Sequence, residues 1–202
     1  MRKSNTSLSF EGLLPAIRGS YRYKYPLSKV AWFKVGGPAE VMFIPKDKKD
    51  LVSFLKKIGM NKINFFVIGA CSNLLIRDGG FKGVVIKLGK DFKSIKQKED
   101  YIFAGAGALD IVLSKFAASR GIGGFEFLSG IPGTIGGSII MNAGAYGKEI
   151  SDILISIEAV DRYGNIHNIE SKDIIFSYRS SKIQKNLILL SACLKGYKED
   201  KQ

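Results

Sequence analysis

The segment with the clearest potential for chemistry is rich in glycine and almost free of charge. Nine of the chain's 23 glycines fall between Gly121 and Gly147. Glycine lets a backbone approach a ligand closely, and successive N–H groups can then point into one concavity that accepts a phosphate or the polar edge of a flat ring. We expect residues 138–142 to form a short helix whose N-terminus favours an anion. Close packing around small residues explains the composition equally well, so both interpretations stay open here.

A second candidate is the loop Gly69-Ala70-Cys71-Ser72-Asn73, which directly follows an apolar run ending at Ile68. Open α/β sheets present backbone donors to ligands at this end of a strand. Ser72 and Asn73 would add side-chain donors. The alternative is a plain turn, because Gly, Ser and Asn are turn residues in any case.

A third candidate is Tyr178-Arg179-Ser180-Ser181, which places a phenol, a permanent cation and two hydroxyls within four residues. An arginine can hold a carboxylate through two parallel hydrogen bonds and can stabilise negative charge that develops beside it. More often such a cluster is a surface salt-bridge donor.

Other kinds of site are disfavoured by residue spacing. Gly105-Ala106-Gly107 opens a helix, but Asp110 occupies the third glycine position of the dinucleotide fingerprint, and no Walker-type Gly-Lys-Ser or Gly-Lys-Thr is present. His167 is the only histidine and lies in an expected hairpin, which argues against a Ser-His-Asp or Cys-His hydrolase. Cys71 and Cys193 are far apart, so the sequence predicts neither a disulfide framework nor a metal site.

The formal charge of +13 favours anionic partners such as phosphate-bearing cofactors, nucleotide sugars or nucleic acid. The lysines are scattered rather than gathered into one basic block, so binding of nucleic acid is a rival hypothesis rather than the expected function. No apolar run has the length of a membrane span and the N-terminus does not resemble a signal peptide. We therefore expect a cytoplasmic protein without a membrane or nucleic-acid partner; the sequence gives no oligomeric state.

Hydrophobic spacing along the chain predicts four parts: an N-terminal arm (1–20), one lobe (21–90), a second lobe (91–197) and a charged tail (198–202). In the first lobe we expect a surface strand at 21–25, strands at 39–44, 63–68 and 84–88, and a helix that begins at Asp47 and ends at a left-handed Gly59. The inward face of that helix is predicted to carry Leu51, Phe54, Leu55 and Ile58.

In the second lobe we expect strands at 101–104 and 187–194 and a hairpin of 154–161 with 165–169 around Arg162-Tyr163-Gly164. A helix between them should bury one apolar face, formed by Leu109, Val112, Leu113, Phe116 and Ala117.

Taken in order, these segments resemble the UDP-N-acetylenolpyruvoylglucosamine reductase (MurB) family. The resemblance runs from about Pro26 to Leu194 and depends on four motifs. They are Trp32-Phe33-Lys34-Val35-Gly36-Gly37-Pro38-Ala39, the loop Gly69 to Leu75, the pair of segments Gly130–Gly137 and Met141–Gly147, and Tyr178-Arg179-Ser180-Ser181. Cys71 stands where the family usually has glycine.

The resemblance implies an α+β, two-lobed FAD-binding fold of the vanillyl-alcohol-oxidase (PCMH) type. It implies non-covalent FAD, with NADPH as co-substrate and a UDP-sugar as substrate, in an NADPH-dependent flavoprotein oxidoreductase that reduces UDP-N-acetylglucosamine enolpyruvate to UDP-N-acetylmuramate for peptidoglycan. Another FAD-dependent oxidase or reductase of the same fold is the nearest alternative.

The resemblance also assigns roles to residues. Arg179 would stabilise charge on the substrate, and Tyr178 would shape the same wall. The expected cofactor-binding residues are Ile68, Gly69, Ala70, Cys71, Ser72, Asn73, Leu74, Gly130, Ile131, Pro132, Gly133, Thr134, Gly136, Gly137, Asn142, Ala143, Gly144 and Ala145. Family members continue into a C-terminal substrate-binding domain with a proton-donating serine and a catalytic glutamate, which we expect to be absent from this sequence.

Overall fold

The first sheet contains four strands with parallel pairing at its centre. The computed structural model describes residues 12, 14–60 and 63–198. Its first lobe comprises β1 (Ser20–Pro26), β2 (Pro38–Ile44), α1 (Lys48–Met60), β3 (Phe65–Ile68) and β4 (Phe81–Lys87), with strand order β1-β2-β4-β3. β4 runs parallel to both β2 and β3, and Ile68 pairs with Lys87. The carboxyl ends of β3 and β4 therefore lie side by side, which is where such sheets hold ligands.

The second lobe contains a larger, antiparallel sheet and several short strands. The helices and strands of this lobe are β5 (Ile95–Lys98), β6 (Tyr101–Gly105), α2 (Asp110–Ser119), β7 (Ile122–Gly123), α3 (Ile135–Ile140), β8 (Gly144–Ala145), β9 (Lys148–Glu149), β10 (Leu154–Val160), β11 (Ile166–Glu170), β12 (Phe176–Ser177), β13 (Ser180–Ser181), β14 (Ile188–Lys195) and β15 (Tyr197–Lys198). Five of these strands form the antiparallel sheet, in the order β11-β10-β14-β6-β5. The chain passes from the first sheet to this one between residues 87 and 95. The predicted hairpin is confirmed as β10 and β11, with Gly164 at positive φ in its turn.

Helix α1 packs against both sheets. Its predicted inward face is confirmed, because all four apolar side chains are buried. They share one cluster with strands of the first sheet and with β10 and β14 of the second, through Val41, Phe43, Val84, Ile86, Val160, Ile188 and Leu190. Burial of each large apolar side chain contributes about 1.5–3 kcal/mol, so this cluster stabilises the contact between the lobes.

The predicted helices differ from the structure in two details. Gly59 lies inside α1 rather than at a left-handed terminus, and a Cβ there would meet the carbonyl oxygen of Arg162 at 2.6 Å. For α2 the predicted buried face is confirmed in part, because Leu113 and Ala117 are fully buried and Phe116 packs partly buried against the core. Val112 is 48% exposed and Leu109, just before α2, is 43% exposed, while Asp110 is fully buried. Hydrophobic spacing did not indicate the burial of Asp110, because a polar contact, described below, holds this side chain inside.

The remaining strand predictions agree to within three residues, and the predicted surface strand is the edge strand β1. The helix expected at 138–142 instead spans Ile135–Ile140. Most of the predicted arm and tail, residues 1–11, 13 and 199–202, lies outside the described residues. Within the described part of the chain, every helix is too short or too polar to cross a lipid bilayer.

Candidate functional site

A cavity of about 840 Å³ lies between the two lobes. One wall is formed by the carboxyl ends of β3 and β4 and by the loop 69–74. The opposite wall is formed by 130–137, by part of α3 and by 187–189. Small-molecule and cofactor pockets usually occupy about 300–1,000 Å³, so this cavity is large enough for an extended ligand.

Most of the residues expected to bind a cofactor line this cavity. From the first lobe these are Ile68, Gly69, Ala70, Cys71, Ser72, Asn73 and Leu74, and from the second Gly130, Ile131, Pro132, Gly133, Thr134, Gly136, Gly137, Ala143 and Gly144. Arg179 lines it too, whereas Asn142, Ala145 and Tyr178 do not. Segments far apart in sequence are thus brought to one surface.

Backbone donors of the glycine-rich wall are largely used inside the protein. The N–H groups of Gly133, Ile135 and Gly136 donate to the carbonyl oxygens of Ile131, Ala108 and Ala106, each at 2.9 Å. For these three groups the prediction of N–H groups pointing into one concavity is wrong. A Cβ on Gly136 would lie 3.0 Å from the Ala106 side chain, so this glycine permits close packing, while the same segment still forms the cavity wall.

The loop after β3 has an unusual backbone conformation at Cys71. This residue has φ 57°, in the left-handed region that favours glycine, and its side chain is buried among Leu27, Ile68 and Val85. Burial raises the pKa of the Cys71 thiol. The conformation explains why a glycine would fit this position, and the buried, protonated thiol argues against a nucleophilic role.

Asp110 and Ser138 form the polar contact that orients α2. The Asp110 side chain is fully buried, its Oδ2 accepts a hydrogen bond from Ser138 Oγ at 2.7 Å, and its Oδ1 has no partner among the described residues. Its backbone N–H donates to Gly133 O at 3.2 Å. Burial raises the pKa of Asp110 from 3.8 to about 7, although the Ser138 hydrogen bond lowers it. A buried acid thus supports the cavity wall from behind.

A short hairpin of β12 and β13 carries Arg179 at its tip. Arg179 has φ 53°, and its guanidinium carbon lies 5.4 Å from the centre of the Tyr178 ring. Two contacts fix this hairpin beside α3: Ser181 Oγ donates to Ile140 O at 2.9 Å, and Asn142 Nδ2 donates to Ser177 O at 3.2 Å. The hairpin therefore holds a cation at one side of the cavity opening.

Asn142 is a structural residue in this arrangement. It is 1% exposed, its amide also donates to Glu149 Oε2 at 2.7 Å, and its Oδ1 accepts from the N–H of Ser151 at 3.3 Å. Because its polar atoms already have protein partners, the prediction that Asn142 contacts the cofactor is not supported. Tyr178 is 83% exposed and, unlike its neighbour Arg179 at the same hairpin tip, does not line the cavity.

Sequence reasoning missed several residues of the cavity wall. Ala106 and Gly107 line it, although their segment was considered only as a nucleotide fingerprint and rejected. Lys87, at the end of β4, and Lys93, beside Gly105 and Gly107, line it as well. Lys87 ends the strand beside β3, so the rule on carboxyl ends of parallel strands would have found it once the pairing of β3 and β4 was known.

A family model described as "FAD binding domain" matches residues 39–170, which include loop 69–74 and segment 130–137 of the cavity walls. The chain belongs to the FAD binding domain family. The match supports FAD as the cofactor. The residues of the cavity also suit FAD, because apolar Leu109, Ile131 and Leu187 can cover a flat ring. Hydroxyl, amide and ammonium groups lie on the first-lobe wall.

Comparison with individual proteins confirms the predicted resemblance. The chain is 47% identical over 190 residues to the UDP-N-acetylenolpyruvoylglucosamine reductase of Rickettsia massiliae and 48% identical to that of Rickettsia typhi. Each match covers 94% of this chain and 64% of the relative. The chain thus spans somewhat less than two thirds of the length of these relatives.

Solved structures confirm the fold. The UDP-N-acetylenolpyruvylglucosamine reductase of Thermus caldophilus matches with a TM-score of 0.78 and 29% identity, over 91% of this chain and 64% of that one. The 6-hydroxy-D-nicotine oxidase of Arthrobacter nicotinovorans matches with a TM-score of 0.68 at 13% identity, over 91% of this chain and 43% of that one, which shows a shared fold alone. The predicted two-lobed FAD-binding architecture is therefore confirmed.

Proposed function

We propose that this chain binds FAD non-covalently in the cavity between its lobes. It would be the FAD-binding part of a cytoplasmic oxidoreductase that reduces UDP-N-acetylglucosamine enolpyruvate to UDP-N-acetylmuramate with NADPH, a step of peptidoglycan precursor synthesis. The observation that carries this proposal is the joint cavity wall of loop 69–74 and segment 130–137, two motifs that also carry the resemblance to the reductases.

The protein would bind and orient the cofactor and the substrate, and FAD would supply the transfer of hydride from NADPH to the substrate. The loop 69–73 would face the phosphates, with Ser72 and Asn73 as side-chain donors. The apolar side chains of the opposite wall would cover the ring system and exclude water from it. Every one of these tasks falls on residues that line the cavity.

Arg179 is the residue proposed to act on the substrate. Reduction of the enolpyruvyl group places negative charge next to a carboxylate, and a guanidinium can stabilise both through charge-assisted hydrogen bonds. Its location at the cavity wall supports this role, because a fixed cation there lies beside the expected ring site. The exposed Tyr178 ring against the guanidinium would limit the directions in which Arg179 can move.

An absorbance spectrum tests the proposal directly. We expect the purified chain to be yellow, with a flavin spectrum that dialysis preserves and that appears in the filtrate after denaturation, as required for a non-covalent cofactor. Protein prepared without flavin should regain the spectrum on addition of FAD. A colourless protein that does not bind added FAD would remove the proposed function altogether.

A further inference from the structure

Lys87 is placed where the phosphate loop begins. It is the last residue of β4 and pairs with Ile68, the last residue of β3, so its side chain starts at the same sheet edge as loop 69–73. It lines the cavity, and its Nζ donates to Gly69 O at 3.1 Å. An ammonium group has three donors, and this one therefore has donors left for a ligand.

The surroundings of Lys87 leave its positive charge without a counter-ion. Burial lowers the pKa of Lys87, and the positive charge of Lys93 lowers it further, although Cys71 raises it. Among the described residues, neither lysine has a carboxylate within salt-bridge distance. A partly desolvated cation with only a carbonyl partner is poorly compensated, and an anion in the cavity would supply the missing charge.

We propose that Lys87 contacts the phosphate groups of the bound dinucleotide and, with Lys93, which also lines the cavity, makes the site selective for a phosphorylated flavin over an uncharged one. The inference rests on the proposed FAD function and adds the residues that recognise the anionic half of the cofactor. Lys87 has the direct contact because it is half-buried beside Gly69, whereas Lys93 is exposed and acts at longer range.

A purely structural role for Lys87 makes a different prediction. If the ammonium only ties Gly69 O to the end of β4, its loss would displace loop 69–73 and weaken every ligand of the cavity alike. If it contacts phosphate, its loss weakens charged ligands selectively. The test therefore compares ligands that share the ring system and differ in charge.

The experiment measures dissociation constants of FAD and riboflavin for the flavin-free chain by fluorescence quenching, at several salt concentrations. We expect Lys87→Gln, whose amide can still donate to Gly69 O, to weaken FAD binding about tenfold or more. Riboflavin binding should change less than twofold. The dependence of FAD affinity on salt should also become shallower, since one ionic contact is lost.

Two matched variants complete the test. Lys82→Gln removes the same charge from an exposed position of β4 outside the cavity wall, so FAD affinity should stay within twofold of wild type. Lys87→Arg keeps the charge and should retain most of the affinity. Equal weakening of FAD and riboflavin, or unchanged FAD affinity and salt dependence in Lys87→Gln, overturns the role of Lys87. If the wild-type chain binds no FAD, the proposed function itself is contradicted, which distinguishes that outcome from a failure of the Lys87 proposal alone.

Discussion

Gly69 and Thr134 meet across the boundary between the lobes, and a methyl group added to Gly69 would overlap Thr134 Oγ1. Both residues line the cavity, Gly69 in the phosphate loop and Thr134 in the glycine-rich wall. The two walls can approach this closely because residue 69 has no side chain, and the Thr134 hydroxyl sets how close they come.

We expect Gly69→Ala to push the two loops apart and to weaken FAD binding about tenfold, which a titration would measure. Thr134→Ala should restore much of the affinity in the double variant, because it removes the overlapping oxygen and leaves only atoms at 3.5 Å or more. Gly79→Ala is the control, since a Cβ there meets nothing within 4 Å. A double variant as weak as Gly69→Ala alone would contradict this account of the contact.

Asp110 should make stability depend on pH. Its pKa is about 7 in the folded protein and 3.8 ordinarily, so the folded state holds a proton that the unfolded state has lost between these values. The contribution of protonated Asp110 to the free energy of unfolding is complete below pH 4 and is lost as the pH rises towards 7. The slope approaches about 1.4 kcal/mol per pH unit within this window.

Asp110→Asn removes that titration while keeping an oxygen acceptor for Ser138. We expect the difference in unfolding free energy, variant minus wild type, to increase with pH from 4 to 7 and then level off in denaturant titrations. Groups common to both proteins cancel in this difference. Parallel curves for the two proteins would show that Asp110 does not hold a proton near neutrality.

Arg179→Ala should separate binding from turnover. In a chain extended by the remaining third of a Rickettsia relative, we expect FAD affinity within about twofold of wild type and a loss of about 100-fold in kcat, the size expected when one charge-stabilising donor is removed. Arg179→Lys keeps a cation but loses the paired donors of the guanidinium, so its kcat should lie between those of wild type and Arg179→Ala. Equal turnover in all three proteins would leave Arg179 without a catalytic role.

Particular residues show what the sequence could and could not predict. The inward face of α1 and the hairpin around Gly164 follow from local spacing and turn chemistry, and both were predicted. The burial of Asp110 in α2 was not predicted, because its contact with Ser138 joins residues 28 positions apart. Asn142 was assigned to the cofactor by resemblance, and only the structure shows that its amide is used by Glu149 and Ser177.

Helix α1 contributes its apolar side chains to a core that both sheets share. Separating the two sheets would expose those phenyl and aliphatic groups to water. Opening about a hinge on this side of the molecule is therefore energetically unfavourable. The two halves should also melt in a single cooperative transition, and a peptide cut between residues 87 and 95 would yield fragments that depend on each other for solubility.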